Sequence, residues 1–194
     1  MTTARDEPTA APVLAWPSAV PAEAAVSTVA RRLGPGADLT ARLYHHPFAG
    51  MMFLCEMAPG PFRQRASAVP VLAAVVVDLV SGRAFLSDPW NDEDFITRDT
   101  ASEEALSGSS GADPHPVRGP APRLTEQEAV EAGRALLPGL LARRRRIDPF
   151  RPARLTGPPV HFGKPNWWVT GHLGERTVEV VVDALSGRHY VWSG

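Results

Sequence analysis

Two twelve-residue strings in this 194-residue chain are near copies of each other, and they constrain the fold more than any other feature. Val75 to Leu86 reads VVVDLVSGRAFL, and Val180 to Val191 reads VVVDALSGRHYV; seven of the twelve positions are identical. Asp183 follows Asp78 by 105 residues. Such repetition marks a duplicated structural element. The shared residues are those of a β-hairpin. The valine run favours a strand. Asp78 and Asp183 suit a turn because a carboxylate accepts hydrogen bonds from the N–H groups that follow it. Gly82 and Gly187 supply the positive φ that a short bulged loop needs.

Each copy has a helix upstream. Val26, Val29, Ala30 and Leu33 recur at helical spacing, with Pro21 at the start and Gly34-Pro35 at the end. In the second copy Thr125 and Glu128 form a capping box ahead of Ala129, Gly133, Leu136 and Leu140. Pro138 is expected to kink or end that helix near Leu137. Strands are expected at Leu39 to Tyr44 and Gly50 to Met57 in the first copy, and at Asn166 to His172 and Thr177 to Ala184 in the second. The fold class that follows is α+β, with two tandem units, each a helix packed on an antiparallel β-meander.

The expected organisation is a flexible tail over 1–18, a first unit over 19–97, a linker over 98–122 and a second unit over 123–194. The tail is rich in Pro, Ala and Thr, and the linker in Gly, Ser and Pro. In the strand ending at Asp183, Val178, Val180 and Val182 alternate with Thr177 and Glu179, the pattern of a sheet with one wet face. The strand ending at Asp78 is apolar on both faces, so its second face is expected to be covered by the second copy, the tail or another chain; an exposed patch there would instead mark a partner site.

The string V-V-D-x-x-S-G-R-x-aromatic after a helix resembles the PepSY family of small domains. It is carried by Val77, Asp78, Ser81, Gly82 and Arg83, and again by Val182, Asp183, Ser186, Gly187 and Arg188. The resemblance covers about residues 20–88 and 124–194. It implies an inhibitory, regulatory or assembly module of a kind often exported or membrane-linked, whereas no export signal is visible at this N-terminus.

The net charge of -1 gives no reason to expect nucleic acid or an anionic membrane as partner, and no apolar run approaches a membrane span. The single cysteine, Cys55, cannot form an intrachain disulfide. A bacterial protein of the cytoplasm is the expectation. Cys55 is expected to be a buried strand residue, despite His45 and His46 nearby in sequence. His161, His172 and His189 could converge on the second sheet across neighbouring strands, but nothing in their spacing demands a metal site, and polar face residues are the simpler reading. The acidic segment Asp88 to Phe95 is expected to be a solvated turn from which Trp90 packs back. Arg143 to Arg146 suit the C-terminal end of a helix. No catalytic residue, metal ligand or cofactor site is assigned.

Trp167, Trp168, Tyr190 and Trp192 are the candidate partner-binding residues. Adjacent Trp167 and Trp168 must point to opposite faces of their strand, and exposed aromatics are favoured interface anchors. The expected function is non-catalytic: a binding, assembly or regulatory protein that recognises a protein or peptide through a sheet face or edge, with room for a homo-oligomer. The rivals are a small enzyme or enzyme subunit with a cleft between the two units, and a structural component of a larger complex.

Overall fold

A computed structural model describes residues 13–56, 70–98, 119–144 and 153–191. Its strands are β1 (Val13–Ala15), β2 (Ala37–Glu56), β3 (Pro70–Asp78), β4 (Ala84–Ser87), β5 (Ile96–Arg98), β6 (Arg154–Leu155), β7 (Val160–Leu173), β8 (Arg176–Asp183) and β9 (His189–Val191). The helices are α1 (Ala22–Leu33) and α2 (Glu126–Arg144). Pairing links all nine strands in the order β4-β3-β2-β7-β1-β5, with β6 on β2, and with β8 between β7 and β9.

This corrects the tandem fold. The copies do not form two separate helix-on-meander units; the chain is dominated by one nine-stranded sheet. Its compact units also mix the copies. One comprises residues 13–45, 95–98 and 165–191; the other comprises 46–94 and 119–164, as far as these are described. In the first, Ala25 and Val29 of α1 pack with Val169, Val178 and Val182. In the second, Ala129 and Leu137 of α2 pack with Met51, Phe53, Val75 and Val77. The helix of each copy therefore covers the hairpin of the other. Local sequence encodes each helix and each turn, but nothing local states which helix meets which hairpin.

Strand continuity differs too. The break expected between Tyr44 and Gly50 is absent, because β2 runs through His45-His46-Pro47 without interruption. Proline cannot donate to a ladder. Pro47 stands just before Phe48, where pairing with β3 begins, and its carbonyl accepts the Leu79 N–H at 3.1 Å. Pro165 stands likewise before Asn166, where pairing with β8 begins, and its carbonyl accepts the Ala184 N–H at 3.2 Å.

Helix ends follow local chemistry. Gly34 takes φ 89° and donates to the Ala30 carbonyl, closing α1. At the start of α2, Glu128 Oε2 accepts from both the N–H and the hydroxyl of Thr125 at 2.8 Å. Pro138 does not end α2, which runs on to Arg144. Pro138 and Arg134 lie on the exposed side, where water can reach the carbonyl that the proline leaves without its bond. Of the expected tail, residues 1–12 lie outside the described residues, while Val13–Ala15 form β1 and pair with β5; residues 99–118 of the expected linker, Trp192, Arg145 and Arg146 also lie outside the described residues. Among the described residues no helix is long and apolar enough to cross a membrane.

Candidate functional site

The two turns share the hydrogen bonds of their backbone N–H groups. Asp78 Oδ1 accepts from the N–H of Val80 at 2.8 Å and of Ser81 at 3.2 Å. Asp183 Oδ1 accepts from Leu185 at 2.8 Å and Ser186 at 3.2 Å. Gly82 and Gly187 have φ 74° and 71° and donate to the carbonyls of Asp78 and Asp183. Each turn also receives the segment that leads into a helix. The Leu79 carbonyl accepts from Arg123 and Leu124, and the Ala184 carbonyl from Ala19 and Val20. These four turn residues hold the architecture, and their polar atoms are used in doing so.

The first unit has one face under α1 and one away from it. Trp167 is half-buried against the α1 core, and its indole N–H donates to the Val20 carbonyl at 2.7 Å. Trp168 points to the other face, where its Nε1 donates to Glu179 Oε1 at 3.0 Å. Strand register sets Trp168 opposite Val181, and Val181 opposite Tyr190. The three form one row across β7, β8 and β9, with Thr170, Thr177 and Glu179 on the same face by alternation. Tyr190 is 54% exposed. Val181, the centre of the row, was missed in the sequence, where only the aromatic residues drew notice; the two-residue alternation of β8 carries the signal that would have found it. Among the described residues β9 pairs on one side alone, with β8.

The second unit is covered by α2 on one face of β3, whereas on the other face the expected cover is only partial, with Leu72 and Phe85 each 44% exposed. Val75 and Val77 meet α2. On the other face, Ala74 and Val76 are buried, Phe48 stacks on Phe162 with ring centroids 6.0 Å apart, and Trp90 closes over Gly50. A Cβ at Gly50 would stand 2.6 Å from the Trp90 ring. The cover is thus Trp90 from the acidic turn of the same copy together with Phe162 from the second copy. In that turn Asp94 Oδ2 accepts the Asn91 N–H, and the acids are exposed.

Candidate chemistry does not converge. Cys55 is buried in the α2 core, and burial pushes its thiol pKa up, which disfavours the thiolate. His46 lies on the same strand, nine residues away, roughly 30 Å along an extended chain. His46 instead meets Asp78, Nε2 to Oδ1 2.8 Å, a contact that sequence reading missed. Burial opposes the charge on Asp78, but hydrogen bonds from the Ser81 hydroxyl, His46, and the N–H groups of Val80 and Ser81 outweigh it and hold the carboxyl below its ordinary value. His161 lies 3.5 Å from Glu126, both side chains exposed. His172 and His189 fall on opposite faces, since His172 shares the Trp168 face and His189 pairs with Val182. Among the described residues no group of three or more His, Cys, Asp or Glu could hold a metal ion.

No protein-family model, curated protein or solved structure matches this chain.

Proposed function

We propose that this is a non-catalytic binding protein that holds an extended segment of a protein partner along β9. The observation that carries this reading is the row Trp168–Val181–Tyr190, an apolar line with a polar surround on the sheet face away from α1 and ending at a short outer strand. An added strand takes its backbone hydrogen bonds from such an edge and its specificity from alternate side chains. Tyrosine and tryptophan supply contact area at low entropic cost, and an apolar centre with a polar rim is the usual anatomy of an interface. The resemblance of the two turns to PepSY domains fits a regulatory or assembly role of this kind. The compartment in this reading is the cytoplasm, consistent with one buried free thiol.

The test is selection of binders from a displayed random-peptide library, followed by calorimetry with wild type, Trp168→Ala and Tyr190→Ala. Each substitution removes a central contact and weakens binding roughly tenfold or more. N-methylation of alternate peptide amides weakens it as well, as strand addition requires. Peptides that bind both variants as tightly as wild type would overturn the reading.

A further inference from the structure

We infer that the two sequence copies are obligate reciprocal partners: the half-chain ending at residue 98 and the half-chain starting at residue 119 bind each other by exchanging helices, and hold together without the covalent link between them. The partner surface of each half is its own hairpin. This inference is independent of the peptide-binding reading.

Three sets of observations carry it. The first is apolar burial. Alone, the first half would leave bare Met51, Phe53, Val75 and Val77, each 1% exposed or less beneath α2. It would also lose the seat of Ala25 and Val29 of α1. Alone, the second half would leave bare Val169 and Val182, together with Ala129 and Leu137 of α2. The second is polar. Leu79 of the first half accepts the N–H groups of Arg123 and Leu124 at 2.8 and 3.0 Å, while Ala184 of the second half accepts those of Ala19 and Val20 at 2.9 and 2.8 Å. The third is side-chain fit. Leu124 lies over Gly82 and Val20 over Gly187, with methyl carbons 3.6 and 3.8 Å from where a Cβ would be. Gly133 lets α2 approach Met51, whose Cε would be 3.2 Å from a Cβ there.

The same contacts thus run in both directions, from the first half to the second and back. That is the arrangement of a swapped dimer joined into one chain. Each half donates a helix and accepts one.

The test uses the full chain with a specific protease site placed within residues 99–118. After cleavage, native mass spectrometry and size exclusion at micromolar concentration are expected to show one species containing both fragments in a 1:1 ratio. Its melting temperature becomes dependent on concentration, as mass action requires. Fragments that separate under native conditions would overturn the inference. A second measurement guards against association by some other route. In protein isotopically labelled in the first half alone, filtered NOEs are expected from the Val29 methyls to those of Val169 and Val178. NOEs from Val29 to Val75 or Val77 of its own half would overturn the exchange even if the fragments stay together.

Discussion

His46 Nε2 stands 2.8 Å from Asp78 Oδ1, tying the middle of β2 to the turn between β3 and β4. Because the Asp78 carboxyl is held below its ordinary value, the folded state binds this proton less readily than the unfolded chain does. Its stabilisation is complete above the ordinary value of 3.8 and is lost as pH falls from there through the lowered folded value. Asp78→Asn should therefore flatten the decline in stability on acidification below about pH 4. Urea unfolding at a series of pH values measures this. An unchanged slope would assign the acid sensitivity to other carboxyls.

Gly50 is the seat of Trp90. Gly50→Ala forces the ring away, since the new methyl would meet Trp90 at 2.6 Å and Phe162 at 3.2 Å. Overpacking of this kind costs about 1–3 kcal/mol. In a Trp90→Ala background the same change should cost less, and a double-mutant cycle reads the coupling. Full additivity would mean that the ring does not rest there.

Gly82 and Gly187 should respond alike to alanine. Both have positive φ, and a Cβ at either would make only ordinary contacts, at 3.6 Å or beyond. The cost is then the backbone strain of an L-residue in the left-handed region, about 1–2 kcal/mol. Denaturant titration of the two variants should give values within about 0.5 kcal/mol of each other. A large inequality would show that the turns are alike in geometry but not in role.

Cys55 should resist thiol reagents in the native protein and react on unfolding, because it is 1% exposed and its thiolate is disfavoured. A coloured disulfide reagent followed with and without guanidinium gives the two rates. Fast native labelling at neutral pH would contradict the burial of the β2–α2 core.

Sequence reading reached whatever local chemistry specifies. It found the Asp-x-x-Ser-Gly turns, the Thr125–Glu128 cap, the Gly34 stop and the alternation of Val178, Val180 and Val182, each decided by residues within a few positions of one another. It placed Trp167 and Trp168 on opposite faces for the same reason. It missed the pairing of Ala25 and Val29 with Val169 and Val178, a contact across most of the chain that leaves no periodic trace. The repeat itself encouraged the error, since two copies read naturally as two self-contained bodies. His45-His46-Pro47 read as a strand break, but Pro47 needs no donor at the place where β2 takes up its pairing with β3. The row through Val181 depended on register, which is set when β7, β8 and β9 pair.

The bond from Trp167 to Val20 spans 147 residues. At a synthesis rate of about 5–20 residues per second, α1 waits roughly 7–30 s after emerging before its seat exists. The first hairpin, with Met51 and Val75 bare, waits less than half as long for α2, since Leu137 follows Val75 by 62 residues. A nascent chain of this protein presents the α1 surface unfinished for most of its translation, and the first hairpin likewise for about a third, which favours capture by chaperones at the ribosome and ties its yield to the pace of elongation.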